Sequence, residues 1–234
     1  MDGIFNINKP SGVTSTEVVR RVKRLTGVKK VGHAGTLDPL ASGVLPICVG
    51  KATRLIEYLI DQDRSYRALI NLGIETDTFD KEGCIVAENT EFKIPSRIDI
   101  INALSLFIGD IKQIPPMFSA IKINGERLYD LARKGISLDL EPRLVKVFDI
   151  SLLNWKPSSL DIKISCGKGF YVRSLANDLG KELGTGAYLE QLTRLKHGSF
   201  YIEESIEFNS LEKIFEEDRW SGIMASVDSA ITHM

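Results

Sequence analysis

The sequence predicts an α+β protein, with a mixed, largely antiparallel central sheet flanked by helices and one inserted arm. Three observations carry that prediction. Segments with helical and with strand periodicity follow one another without the strict alternation of a doubly wound sheet. No dinucleotide-binding or P-loop glycine pattern opens a helical segment, which disfavours the nucleotide-cofactor folds. The 234 residues, 43% hydrophobic and 26% charged, hold enough apolar material for a sizeable core.

Along the chain, "GIFNINKP" (3–10) reads as a strand running into a turn. "TSTEVVRRVKRLTG" (14–27) reads as a helix: Thr14 and Glu17 form a capping box, and Gly27 ends it. Val18, Val19, Val22 and Leu25 make its apolar stripe, with Arg20, Arg21, Lys23 and Arg24 mostly opposite. A glycine-rich loop around Asp38 follows, then a buried strand, "GVLPICVG" (43–50), and a second helix from about Ala52 to Ile60. "SYRALINLG" (65–73) alternates as a strand, and "TDTFDKEGCIV" (76–86) reads as a hairpin turn returning to a strand. Ser96 with Asp99 caps a helix over 97–109. Two prolines in series, an Asn124-Gly125 hairpin signal and a short basic helix before Gly135 mark the arm, residues 112–143, expected to have little core of its own. Strands are expected over 144–155 and from 160, the second passing into a helix through Arg173. Residues 187–205 read as another helix and a strand, with Leu192 on the helix, and the chain closes with a short acidic segment, 205–234. With no repeat or long linker, residues 1–234 read as one domain.

No stretch approaches the ~18 uninterrupted apolar residues of a membrane span, and "MDGIFNINKP" lacks the basic and apolar regions of a signal peptide. Three scattered cysteines (Cys48, Cys84, Cys166) suit a reducing compartment. Neither they nor the three histidines (His33, His197, His233) show metal-ligand spacing, so no metal is expected. A cytoplasmic monomer is the expectation. Charge is segregated: net +5 over 1–60, −5 over 61–110, +5 over 111–200 and −6 over 201–234. Two basic blocks meeting on one face would track a phosphate backbone, while an uneven solvated surface explains the same numbers.

In "GHAGTLDPLASGVL" (32–45), Asp38 is the one acid in a run of small and apolar residues. An aspartate before proline is a common turn pair, but a carboxylate there is costly to desolvate without a partner. Taken alone, the stretch leaves turn and function both open. Three further stretches stand with it: "NKPSGVTS" (8–15), "RSYRALINLG" (64–73) and "KGFYVRSLANDLG" (168–180). In this order, the four blocks resemble the bacterial TruB-type tRNA pseudouridine synthases, collinearly from about Gly3 to Asp228.

The resemblance implies a pseudouridine synthase fold and isomerisation of a T-loop uridine of tRNA (position 55), without cofactor. It implies Asp38 as the nucleophile, Arg173 as its partner, and Tyr66 stacked on the target base and helping to move the C5 proton. Tyr171 and Leu192 would line the uracil pocket, and His33 would pack beside the flipped-out nucleotide. Lys9 and Pro10 would buttress the catalytic loop, whose small residues would let RNA and an extruded base come close. The arm would close over the tRNA T-arm, with Lys112, Lys122, Arg127, Arg133 and Lys134 suited to phosphate contacts. Many members continue into a C-terminal PUA domain, and none is expected within these 234 residues. Alternatives are an RNA-binding folding helper in which isomerisation is incidental, and a synthase acting on another RNA.

Overall fold

The computed structural model describes residues 1–226 apart from 120, 124 and 137; Asn124 of the hairpin signal, Asp228 and His233 lie outside the described residues. The strands are β1 Gly3–Lys9, β2 Val31–His33, β3 Ser42–Val49, β4 Arg64–Leu72, β5 Ile74–Thr76, β6 Ile85–Glu88, β7 Gly109–Gln113, β8 Lys122–Ile123, β9 Glu126–Arg127, β10 Arg143–Lys156, β11 Ser159–Cys166, β12 Ala187–His197, β13 Phe200–Tyr201 and β14 Ile206–Glu207. The α-helices are α1 Ser15–Thr26, α2 Ile56–Ile60, α3 Arg97–Ser105, α4 Leu128–Arg133, α5 Val172–Glu182 and α6 Leu211–Glu216. The chain forms two compact units, residues 1–67 with 192–234, and 68–191; β4 and β12 each contribute residues to both.

In the first unit β1 pairs antiparallel with β3 (Lys9 opposite Gly43) and parallel with β14. β3 takes β2 antiparallel and β12 parallel, with Thr193 opposite Ser42 and Arg194 opposite Gly43. The sheet is therefore mixed, as the sequence implies. Helix α1 carries the expected capping box, Thr14 to Glu17, and ends at Gly27 in the left-handed region. Its basic face is partly spoken for: Arg21 and Arg24 both pair with Glu212 of α6, and Arg21 also lies over the Phe208 ring. The core gathers Ile4, Val44, Cys48, Leu59 and Phe200, and includes Ala34 from the loop before Asp38.

In the second unit β10 pairs antiparallel with both β7 and β11, and β5–β6 and β8–β9 are separate hairpins. Here two expectations are corrected. Residues 187–197 form a strand, so Leu192 is not helical: its buried positions Ala187, Leu189, Leu192, Arg194 and His197 follow a strand pleat with shifts. Pairing overrides the helix propensity of Leu, Glu, Gln, Arg and Lys. The arm also has more anchorage than expected. Gln113, Ser119 and Leu128 are buried, and three contacts bind its root to α5. Gln113 exchanges hydrogen bonds with the Tyr171 backbone, Ser174 Oγ donates to Ile114 O at 2.8 Å, and Arg173 Nη2 donates to Phe118 O at 2.9 Å.

Gly43 shows what the β3–β12 pairing demands. Its φ is +102°, and a Cβ there would sit 2.2 Å from the Arg194 carbonyl oxygen. Gly43→Ala should therefore destabilise the fold by roughly 2–4 kcal/mol, combining backbone strain with overpacking. Urea unfolding of the two proteins measures it, and equal midpoints would contradict the packing argument.

Candidate active site

The segment 9–15 grips the loop on both sides of Asp38. Ser15 Oγ both accepts from Leu37 N (2.9 Å) and donates to Leu37 O (3.0 Å). Gly12 N donates to Pro39 O at 2.8 Å, and Ser11 Oγ to Leu40 O at 2.8 Å. Lys9 is wholly buried at the end of β1, its ammonium donating to Pro10 O, Val13 O (2.6 Å) and Pro39 O. A buried ammonium needs such acceptors, and meeting them fixes the turn against the loop. Asp38 is left half-buried at its centre, with Ala41 N closing the turn onto its carbonyl.

Behind the loop lies a side chain that the sequence reading did not single out. Arg194 on β12 is 1% exposed; its Nε donates to Val44 O (2.7 Å), its Nη2 to Gly35 O (3.0 Å), and the guanidinium hydrogen-bonds the Tyr66 hydroxyl. Burial pushes the guanidinium below its ordinary range, Tyr66 and Asp38 pull it back, and Arg64 adds to the push. Arg64 is itself buried and donates to Ile60 O.

Two histidines border this cationic group. His197, fully buried, bonds Leu59 O through Nε2 at 2.7 Å. Burial, reinforced by Arg194 and Arg64, drives its pKa down to about 2. His33, half-buried at the end of β2, is shifted down by burial and then by Arg194. Both rings are therefore neutral near pH 7. The small residues of the loop serve the protein's own packing: a Cβ on Gly35 (φ +84°) would lie 2.9 Å from the His197 ring, with Arg194 and Arg64 just beyond. The first unit thus brings Asp38, Tyr66 and His33 within reach of Arg194, and Leu192 is buried two residues before it.

Arg173 and Tyr171 belong to the second unit, at the start of α5. Arg173 forms a buried pair with Asp80 (Nη1 to Oδ2, 3.4 Å). Asp80 is held in turn by Thr78 Oγ1 (2.6 Å) and Glu82 N (3.0 Å), with Phe79 before it at φ 63°. Asp80 was hidden in the sequence because "TDTFD" reads equally well as an ordinary turn. Of the arm cations, Lys112, Lys122, Arg133 and Lys134 are exposed; Arg133 lies over Tyr129 and Lys134 is 3.6 Å from Glu126. The Arg127 side chain lies outside the described residues. In the first unit a recess of about 280 Å³ is lined by Lys29, Lys30, Lys51 and Arg54, with Asp2 as its one acid among the described residues.

Residues 23–172 match the model of the TruB family pseudouridylate synthase N-terminal domain, and 173–232 that of the tRNA pseudouridylate synthase B C-terminal domain. The chain is 48% identical over all 234 residues to a tRNA pseudouridine synthase B of Dehalococcoides mccartyi, covering 78% of it. It is 46% identical over 218 residues to that of Clostridium tetani, covering 74%. Among solved structures, a chain of a Cbf5–Nop10–Gar1 complex superposes with a TM-score of 0.78 at 29% identity. That match takes in 99% of this chain and 62% of the other.

The neutral histidines make stability pH-dependent. An unfolded histidine titrates near 6.5, whereas folded His197 stays neutral to about 2, so the unfolded state binds more protons in between. The contribution of His197 is complete above about pH 6.5 and is lost on acidification toward pH 2. Stability should fall by on the order of 1 kcal/mol per pH unit from pH 6.5 to 5, with His33 adding in the same direction. Replacing His197 with Gln should flatten that slope in urea titrations, and an unchanged slope would contradict the assignment.

Proposed function

The chain belongs to the TruB family of pseudouridylate synthases, and from this we propose that it converts a T-loop uridine of tRNA to pseudouridine, with Asp38 as the nucleophile. The observation that carries the reading is the half-buried Asp38, in a loop gripped from both sides and set near a buried guanidinium. The reaction exchanges the C1′–N1 bond for a C1′–C5 bond; C5 gives up a proton and N1 takes one. It therefore needs an ionised, oriented carboxylate and a group to carry the C5 proton. Asp38 suits the first role, and Tyr66, buried with its hydroxyl on Arg194, suits the second. Leu192 and His33 would bound the extruded base, consistent with enzymes that act on a flipped-out nucleotide.

Asp38→Asn preserves shape while removing the nucleophile. Incubated with unmodified tRNA, the variant should bind as the wild type does and form no pseudouridine. Product above background would remove Asp38 from the role. Binding without product by the wild type would instead favour an RNA-folding helper.

Phosphate contacts should come from the arm lysines and arginines and from the recess of Lys29, Lys30, Lys51 and Arg54. With about three to five phosphates engaged, log affinity should fall with log salt at a slope of roughly −2 to −5. Replacing Lys29, Lys30 and Arg54 with Gln should flatten that slope by about 2. An unchanged slope would take the recess out of the RNA path.

A further inference from the structure

Arg194 is an unusual investment for a structural bolt. Tying Gly35 O to Val44 O requires two N–H donors and no charge, yet the chain buries a full guanidinium, which is costly to desolvate. Its third bond goes to the hydroxyl of Tyr66, a buried residue. A buried cation is of use where a neighbouring group must carry negative charge, and both the Tyr66 hydroxyl and the Asp38 carboxylate interact with Arg194. Tyr66 becomes charged only by losing its proton.

We propose that Arg194 is the positioning residue for Tyr66, fixing the phenolic oxygen and stabilising it as a phenolate able to take the C5 proton. The proposal rests on the isomerisation reading above. In that step the C5–H bond breaks, and its electron pair re-forms the C5=C6 double bond. The N1=C6 pair returns to N1, which takes up a proton, and the C5 proton lies on the Tyr66 oxygen until passed onward. The planar fork directs Nε at one loop carbonyl and Nη2 at another, so the loop and Tyr66 are held by one rigid group. Among the described residues, the other charged or titratable groups shown to interact with Arg194 are Arg64, His33, His197 and Asp38. Both histidines are held neutral, Arg64 also favours a phenolate, and Asp38 opposes one.

The test reads Tyr66 directly. Protein labelled with ¹³Cζ-tyrosine carries six tyrosine signals, that of Tyr66 being the one missing in Tyr66→Phe. In the wild type, Tyr66 should ionise at lower pH than ordinary tyrosine. In Arg194→Gln the midpoint should rise by about one to three pH units, and Arg194→Lys should restore part of the shift. Single-turnover isomerisation of unmodified tRNA at pH 7 should fall by about 10- to 1000-fold in Arg194→Gln with tRNA affinity unchanged, again partly rescued by Lys. A wild-type Tyr66 titrating with the ordinary tyrosines, or above them, overturns the proposal even if the Gln variant does not fold. So does an Arg194→Gln protein that folds and leaves the midpoint unmoved, because a bolt would cost activity without moving it. A wild type that forms no pseudouridine counts against the isomerisation reading, while the titration still decides whether Arg194 acts on Tyr66.

Discussion

A cation taken out of water must find acceptors and countercharge within the protein, and in the first unit two buried cations impose that condition on one loop. Lys9 approaches from β1 and collects the carbonyls of Pro10, Val13 and Pro39. Arg194 approaches from β12 and collects those of Gly35 and Val44 together with the Tyr66 hydroxyl. The carbonyls lie before and after Asp38, so satisfying the cations shapes the loop. Other features follow from the same demand. Gly43 lacks a side chain because the Arg194 backbone lies against it, and the two histidines stay neutral because burial beside arginines leaves no room for further positive charge.

The second unit meets the same demand with different parts. Arg173 is buried with Asp80 as its carboxylate and with the carbonyls of Thr78 and Phe118 as acceptors. The Asp80 turn is wound by its own threonines, and the Phe118 carbonyl comes from the arm. The base of the arm is thus part of the packing around α5, and the residues beyond it carry the exposed cations. Removing one member of such a buried pair leaves the other uncompensated, which costs far more than breaking a surface pair such as Lys134 with Glu126.

Charge at the surface divides along similar lines. Glu212 takes up Arg21 and Arg24, so part of the basic face of α1 is internally neutralised by the acidic C-terminal segment. Lys29, Lys30, Lys51 and Arg54 line a recess whose one acid among the described residues is Asp2. A block's net charge counts all these residues alike, and only their packing separates the paired from the available.

What the sequence determined by itself was local or carried by short motifs. The capping boxes of α1 and α3, the strands β1 and β3, the stop at Gly27 and the turn into α5 each follow from neighbours a few residues apart. The four motif blocks pointed to the family that the whole chain matches. Tertiary structure alone decided the rest. Residues 187–197 carry helix-forming side chains but become β12 because neighbouring strands pair with them, and pairing partners lie far off in sequence. Arg194 reads as one more arginine among 30 basic residues until Val44, 150 positions away, accepts its hydrogen bond. Asp80 likewise reads as a turn residue until Arg173 lies against it. A pattern of a few residues can specify a cap or a strand face, but the acceptor of a buried charge is chosen by the fold that buries it.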